Sequence, residues 1–280
     1  MPCLAPIRAA RHRTSGGIRF HDPPDYQESY ERVALPCGRC VGCRRRRAQE
    51  WTLRNVIEFG RHAAASFVTL TYDDANCPPT LSPRDLSLYL KRLRRRSNGG
   101  VRFFACGEYG DRTKRPHYHA LLYGLPPTDP AIKASWRFGL VDVGNVTPAS
   151  IAYTCGYVTK KYTSKRWVGE VVDPDTGEVI KWQPPFLQMS RNPGIGAHAR
   201  EFTSAWRSHA VLPGGIRQPV PRYFHQAWVN QASDQELEAL VQERIAGIME
   251  RAADLPDGWQ DAARARYATR EEHITSKKGL

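Results

Sequence analysis

"RPHYHALLYG", residues 115–124, carries two histidines in a run of residue types that favour a β-strand. Side chains two positions apart on a strand point to the same face, so His117 and His119 are expected to lie side by side. Two such imidazoles can chelate a divalent cation. The expected third ligand is Glu108, because a hairpin that closes over residues 109–115 brings its carboxylate beside the pair.

The pattern around this stretch predicts an α+β fold. Apolar side chains recur at helical spacing over residues 44–65, 82–97, 147–163 and 233–254. Strands are predicted at residues 67–72, 101–108 and 116–123, and a β-hairpin at residues 167–182. The short loop between the second and third strands predicts that they are antiparallel, in a sandwich with helices on one face. Residues 1–36 are expected to form loops and short strands.

The charge of the chain indicates a polyanionic partner. The 280 residues carry a net charge of +13 and include two arginine-rich runs, a balance typical of nucleic-acid binding. A solvated helix face is the alternative interpretation of each run. No apolar stretch is long enough for a membrane span, and the start of the chain lacks a signal peptide, so a cytosolic protein without a membrane partner is expected. The residues expected to contact phosphates are Arg44, Arg45, Arg46, Arg47, Arg94, Arg95 and Arg96.

A second chemical pattern is "AYTCGYVTKKY", residues 152–162, on the helix predicted over residues 147–163. Tyr153 and Tyr157 are four residues apart and therefore share one helix face, a spacing also typical of simple core packing. Lys160 and Lys161 follow within one turn of Tyr157, and an ammonium group favours a phenolate. A phenol beside a bound metal could displace the 3′ oxygen of a phosphodiester and keep the 5′ phosphate as a covalent ester.

Three cysteines at Cys-x-x-Cys-x-x-Cys spacing precede the first predicted helix. Thiolates at this spacing favour Zn²⁺ or an iron–sulfur cluster, but a ferredoxin run would continue with a cysteine where Arg47 stands. A structural zinc needs a fourth ligand, for which Cys3 is preferred and Cys77, Cys106, His12 and His21 remain alternatives. Three reduced thiols without a metal are the other interpretation. Cys155, between the two tyrosines, is expected to pack in the core. The predicted zinc ligands are Cys3, Cys37, Cys40 and Cys43.

Taken together, these motifs resemble those of the HUH endonucleases, which initiate rolling-circle replication. "FVTLTYDD" (67–74) is similar to their first motif, "GEYGDRTKRPHYHALLYG" (107–124) to their second, and "YTCGYVTKK" (153–161) to their third in its two-tyrosine form. "LPCGRCVGCRRRR" (35–47) and "MSRNPGIG" (189–196) look like segments of the replication initiators of small single-stranded DNA phages, the gokushovirus-type Microviridae. The resemblance covers most of residues 1–222.

The resemblance implies a ferredoxin-like or RRM-like sheet with a catalytic Mg²⁺ or Mn²⁺ on one face. It implies that His117, His119 and Glu108 are the metal ligands and that Tyr153 and Tyr157 are the nucleophiles. Tyr157 has Lys160 at the offset of the family motif, whereas Tyr153 has a glycine there, so which tyrosine acts first stays open.

The resemblance also implies the biological setting of the activity. The protein would nick single-stranded or supercoiled replicative-form DNA at the origin, leave a free 3′-OH for a host polymerase, and rejoin the strand in the bacterial cytoplasm. The chain has no Walker-type phosphate loop, so a host helicase is expected to unwind the duplex.

The predicted organisation has three parts. Residues 1–43 form a cysteine-containing segment, residues 44–225 a nicking domain, and residues 226–280 a helical tail. Three other functions remain open: a plasmid-mobilisation or transposition enzyme with the same chemistry, a zinc-containing nucleic-acid-binding regulator without catalysis, and an iron oxygenase that uses two histidines and one carboxylate.

Overall fold

The computed structural model of the protein describes residues 3–21, 26–97, 100–110, 112–160, 169–173, 176–201, 209–211, 215 and 217–253. These residues belong to two compact units, one that includes residues 3–47 and one that includes residues 48–253. Within the described ranges, no helix combines the length and the apolar composition that a bilayer crossing requires.

The first unit contains a three-stranded antiparallel sheet. Its elements in chain order are β1 (Ile7–His12), β2 (Ile18–Arg19), the short helix α1 (Tyr26–Ser29) and β3 (Tyr30–Leu35). The strand order is β2-β1-β3. Ile7 pairs with Leu35, so the residues before β1 and those after β3 leave the sheet at the same end. The sequence predicted short strands here but gave no pairing for them.

The described residues of the second unit form nine strands. They are β4 (Ala65–Tyr72), β5 (Arg102–Tyr109), β6 (Pro116–Tyr123), β7 (Gly139–Asn145), β8 (Glu170–Val172), β9 (Val179–Lys181), β10 (Phe186–Met189), β11 (His209–Val211) and β12 (Arg217–Pro219) among the described residues. Five of them form one antiparallel sheet in the order β10-β5-β6-β4-β7, so β6 is its central strand. The remaining strands form two hairpins, β8 with β9 and β11 with β12.

Helices lie between these strands and after the last of them. They are α2 (Val41–Phe59), which begins in the first unit, α3 (Pro83–Arg96), α4 (Pro130–Ala134), α5 (Pro148–Lys160), α6 (Arg222–Val229) and α7 (Asp234–Ala253). A 3₁₀ helix covers Ala197–Glu201. The fold is therefore a mixed α+β arrangement of antiparallel sheets and helices.

Local signals predicted most of these elements correctly. Ser82 caps α3, as predicted, by accepting a hydrogen bond from the Asp85 amide at 3.2 Å. Ser233 and Glu236 form the predicted capping box before α7. The antiparallel pairing of β5 with β6 and the hairpin β8–β9 are confirmed. The helix predicted over residues 44–65 instead begins earlier and ends at Phe59, because Ala65 already pairs with Tyr123 in the sheet.

The prediction of helices on one face of the sheet is wrong. Tyr118 and Leu122 of β6 belong to one core cluster, which contains the apolar side chains of α3 and α4. Leu121 and Tyr123 belong to a second cluster, which includes residues of α2 and α5. The physical reason lies in β6 itself. Apart from His117 and His119, its side chains are buried in the apolar core on both faces, so each face needs a helical cover.

A buried ion pair fixes the loop after β10. The Glu58 carboxylate accepts hydrogen bonds from Arg102 Nε at 2.5 Å, from the Gly196 amide at 2.6 Å and from His62 Nε2 at 3.1 Å. Arg102 Nη2 also donates to the carbonyl oxygens of residues 193 and 194. Gly196 has φ +71°, and a Cβ there would approach the backbone of α2 to 2.9 Å. Residues 193–196, part of the motif at 189–196, are thus held against α2 and β5.

Glu58→Gln is expected to lower the free energy of unfolding by about 2 kcal/mol at pH 7, because it leaves Arg102 without its buried counter-charge. Burial opposes ionisation of Glu58, but the hydrogen bonds from Arg102, Gly196 and His62 outweigh burial and lower the pKa of the carboxyl. A lowered pKa in the folded state contributes stability above the ordinary glutamate pKa, and this contribution is lost as the pH falls through the folded-state pKa.

Urea unfolding at pH 7 and at about pH 3.5, below the ordinary glutamate pKa, measures this effect. The difference in stability between the wild type and Glu58→Gln should shrink at the lower pH. Glu238→Gln, at an exposed position of α7, is the matched control and should cost little at either pH. A difference for Glu58→Gln that is the same at both pH values would contradict the interpretation.

Candidate functional site

The pairing of β5 with β6 assembles the predicted ligands. Glu108 lies directly opposite His117, and Cys106 lies opposite His119. Glu108 Oε1 is 2.9 Å from His117 Nε2 and 3.2 Å from His119 Nε2. One ligand atom from each of the three residues lies within 4.8 Å of the other two. Glu108 and His119 are buried, and His117 is partly exposed, so solvent reaches the cluster at His117.

Hydrogen bonds at the far side of both rings orient the histidines. His117 Nδ1 is 3.2 Å from the carbonyl oxygen of Arg115, which can only accept, so Nδ1 carries the proton of that bond. His119 Nδ1 is 3.0 Å from the Thr69 hydroxyl. Both rings therefore present Nε2 toward Glu108. Two imidazole nitrogens, one carboxylate oxygen and supported Nδ1 atoms form a donor set that fits a divalent cation.

Both tyrosines of α5 lie against this cluster. The Tyr157 ring stacks on the His119 ring, with centroids 5.4 Å apart and an interplanar angle of 11°. The Tyr153 ring meets His119 edge-on at 5.2 Å and Tyr157 edge-on at 4.9 Å. Tyr157 is buried, whereas Tyr153 is 50% exposed. The structure thus brings the predicted phenols and the predicted metal ligands together on one face of the sheet.

The environment of Tyr157 keeps its hydroxyl protonated. Burial raises the pKa of the phenol above its usual value, and hydrogen bonds to Tyr153 and Glu108 raise it further. Charge explains part of this shift, because a phenolate would repel the neighbouring carboxylate. Positive charge beside Glu108 would therefore favour ionisation of this phenol. The side chain of Lys160 and all of Lys161, the predicted helpers, lie outside the described residues.

The structure does not bring the arginine run of α3 to this site. Arg94, Arg95 and Arg96 are exposed at the end of α3, and α3 packs on the face of the sheet opposite to the histidines. Arg44 is buried, unlike the exposed residues 45–47, and all four belong to the first unit. A DNA contact by these residues remains a prediction.

Sequence reasoning missed the role of Thr69. Thr69 lies opposite His119 in the pairing of β4 with β6, which puts both side chains on the same face. The signal was present in "FVTLTYDD", where strand alternation puts residues 67, 69 and 71 on one face. It could not be used without knowing that β4 is the neighbour of β6.

The four predicted zinc ligands also meet, within the first unit. The sulfur atoms of Cys3, Cys37, Cys40 and Cys43 lie within 4.8 Å of one another. Backbone amides donate to three of them: Cys37 N to Cys3 Sγ at 3.2 Å, Cys40 N to Cys37 Sγ at 3.3 Å, and Leu4 N to Cys40 Sγ at 3.4 Å. The Cys40 amide lowers the pKa of Cys37 to about 6, and burial raises the pKa of Cys43 to about 12.

The other cysteines lie outside this cluster. Cys77, Cys106 and Cys155 belong to the second unit. Cys155 is fully buried and belongs to the core cluster that contains Leu121 and Tyr123, so its predicted packing role is confirmed.

The sequence of this chain is similar to those of known phage replication proteins. Residues 65–162, which include β4, β6 and α5, match the family model described as "Replication-associated protein ORF2/G2P". The chain is 30% identical to the replication-associated protein VP4 of Bdellovibrio phage phiMH2K, over 81% of this chain and 77% of that protein. No solved structure matches the chain.

Two further relatives carry similar names. The replication-associated protein ORF2 of Spiroplasma virus 4 is 26% identical, over 90% of this chain and 88% of that protein. The replication-associated protein ORF4 of Chlamydia phage 1 is 27% identical, over 68% of this chain and 52% of that protein. On this similarity, which extends well beyond the histidine and tyrosine motifs, the chain belongs to the family of phage replication-associated proteins.

Proposed function

We propose that this protein starts rolling-circle replication of a phage genome by nicking one DNA strand at the origin and later rejoining it. Membership of the replication-associated family supports a role in replication. The observation that carries the enzymatic part is the contact of both phenol rings with His119, beside the cluster of Glu108, His117 and His119.

In the proposed reaction the oxygen of a tyrosine attacks the phosphorus of a DNA phosphodiester. The bond between phosphorus and the 3′ oxygen breaks, and a bond between phosphorus and the tyrosine oxygen forms. The phenol gives up its proton, and the departing 3′ oxygen takes one up to become a free 3′-OH. A Mg²⁺ or Mn²⁺ held by Glu108, His117 and His119 would supply positive charge to the non-bridging oxygens.

Two phenols on one helix face support rejoining as well as nicking. While one tyrosine holds the 5′ phosphate as an ester, the other can cut the regenerated origin. The free 3′-OH then attacks the first phosphotyrosine and restores the phosphodiester without an external energy source. The contact of both rings with His119, one of the proposed ligands, supports a role for either phenol at one metal site. Lys160 and Lys161 are proposed to assist by stabilising the phenolate.

Among the described residues, the exposed part of β7 beside this site is the surface proposed to bind the single strand. Leu140 of β7 pairs with Thr71 and is 72% exposed, so it lies on the face that carries the histidines. Gly144 on the same strand leaves open space above its Cα. Exposed Asp142 disfavours a phosphate there. Bases rather than the backbone are therefore proposed to face β7, while the scissile phosphate faces the metal ligands.

The rest of the proposal follows from the family resemblance. The five-stranded antiparallel sheet with the histidines on its central strand supports an HUH-type, ferredoxin-like nicking domain. The substrate would be single-stranded or supercoiled phage DNA in the cytoplasm of a bacterial host. A host polymerase would extend the free 3′-OH, and a host helicase would open the duplex.

A test of this function uses the full chain, circular single-stranded DNA and either Mg²⁺ or Mn²⁺. The wild type is expected to form a protein–DNA adduct that survives SDS, and EDTA should prevent it. His117→Ala and the double variant Tyr153→Phe, Tyr157→Phe should each reduce the adduct at least about a hundredfold, because they remove a metal ligand or both nucleophiles. The single variants identify which tyrosine forms the first ester.

Tyr89→Phe is the matched control for loss of a phenol hydroxyl. Tyr89 lies on α3 in the core of the opposite face, and no hydrogen-bond partner of its hydroxyl is found among the described residues. This variant should form the adduct as the wild type does. A wild type that binds DNA but forms no adduct would contradict nicking and favour the non-catalytic regulator.

Thr69→Val is expected to weaken Mn²⁺ binding about tenfold, because it removes the hydroxyl that orients His119 through Nδ1 while keeping the side-chain volume. Titration of Mn²⁺, followed by electron paramagnetic resonance or calorimetry, measures the change. Thr71→Val is the control on the same strand and face, opposite His117. Equal Mn²⁺ affinities of the two variants would show that the Thr69 hydroxyl does not position the ligand.

A further inference from the structure

We propose that the four clustered cysteines of the first unit hold one structural Zn²⁺ as a tetrathiolate. This site is separate from the histidine cluster and does not depend on the proposed nicking activity. Cys37, Cys40 and Cys43 come from the turn that follows β3 and from the first turn of α2, and Cys3 comes from the segment before β1.

The pairing of β1 with β3 brings Cys3 close to the other three cysteines. Because Ile7 pairs with Leu35, the chain before β1 runs beside the chain after β3. Gly38 has φ +72° and allows the tight turn between Cys37 and Cys40. Cys40 and Cys43 are three residues apart at the start of α2, so their side chains lie on the same side of that turn.

The distances between the sulfur atoms fit a single ion. Cys40 Sγ is 3.9 Å from Cys3 Sγ, and all four sulfurs lie within 4.8 Å of one another. A Zn–S bond of about 2.3 Å places neighbouring sulfurs of a tetrahedron about 3.8 Å apart. An iron–sulfur cluster would place several irons and sulfides between the thiolates, which requires a wider set of cysteines. All four cysteines are free thiols, so no disulfide competes for them.

Backbone amides point at the sulfur atoms, as they do around bound thiolates. The amides of Leu4, Cys37 and Cys40 each donate a hydrogen bond to a cysteine sulfur of the cluster. Such bonds stabilise negative charge on sulfur and hold the ligands in place. Neutral thiols are weak hydrogen-bond acceptors, so three amide donors fit thiolates better than thiols.

The small core of the first unit explains why it needs a metal. Among the described residues of this unit, the buried apolar side chains are Ala9, Ala10 and Tyr30. So few side chains bury too little area to fold a unit of this size. Zinc binding would supply the missing folding free energy by joining three separate segments. It would also fix the start of α2, where the exposed arginines 45–47 lie two to four residues after Cys43.

The test measures zinc in the full-length protein after purification with Zn²⁺ and a reducing agent. His117→Ala serves as the background, so that zinc at the histidine cluster is not counted. One zinc per chain is expected in this background, and adding Cys77→Ser, outside the cluster, should leave that content unchanged. Adding Cys37→Ser and Cys40→Ser should abolish the zinc. Adding Cys3→Ser should weaken zinc binding at least about tenfold.

A spectroscopic measurement keeps the test informative if a cysteine variant fails to fold. Co²⁺ in place of Zn²⁺ in the His117→Ala protein should give the intense visible absorption of a tetrahedral tetrathiolate site. A zinc chelator should expose residues 3–47 to limited proteolysis and leave the five-stranded sheet protected. The proposal is overturned by a protein without zinc, by iron with acid-labile sulfide, or by a Cys3→Ser variant that binds zinc as tightly as its parent.

Discussion

The antiparallel register between β5 and β6 is the constraint on which the candidate site depends. It sets Glu108 opposite His117 and leaves His119 two residues further along the same face. A slip of one residue would turn the carboxylate to the opposite face, where the side chains of α3 pack. The register is specified because both faces of β6 are buried in apolar clusters, so every shifted pairing would expose core residues and bury polar ones. The geometry of the candidate site is therefore fixed by packing rather than by the weak attraction among Glu108, His117 and His119.

Core packing of helix α5 also positions the two phenols. Ile151 and Cys155 lie four residues apart and anchor one stripe of the helix in the core with Leu121 and Tyr123. Tyr153 and Tyr157 belong to the neighbouring stripe. When the first stripe packs on the sheet, the rings of both tyrosines therefore contact His119. The difference in exposure between the two phenols has the same origin. Tyr157 lies over the buried cluster, while Tyr153 lies at the exposed border of α5.

The sequence predicted what depends on short-range periodicity. The shared face of His117 and His119, the cap at Ser82 and the spacing of the two tyrosines all follow from strand or helix geometry within a few residues. The position of Glu108 beside the histidines was predictable because a short loop between two strands forces a hairpin. The pairing of strands that are distant in the sequence was not predictable. This pairing determines that helices cover both faces of β6 and that Thr69 contacts His119. The arginines at the end of α3 show the same limit, because charge density in a sequence carries no information about which face a helix covers. The choice of Cys3 as the fourth thiol rested on ligand chemistry alone, and the pairing of β1 with β3 gives it a geometric basis.

The two candidate metal sites differ in ways that suit different tasks. Four thiolates form a soft, closed donor set, and such a set leaves no coordination position for a substrate. The histidine and carboxylate cluster supplies three harder donors and leaves positions for water or a phosphate oxygen, as a reacting site requires. Burial does not follow this division, because all four cysteines are partly exposed, whereas Glu108 and His119 are buried and only His117 is partly exposed. The affinity of sites with N, O and S donors generally rises from Mn²⁺ to Zn²⁺. Because affinity alone would favour Zn²⁺ at both sites, the type of donor must do much to decide which ion each site binds. Under the two proposals, the cysteine cluster would retain Zn²⁺ for folding, and the histidine cluster would bind a second, more weakly held cation where the DNA is proposed to react.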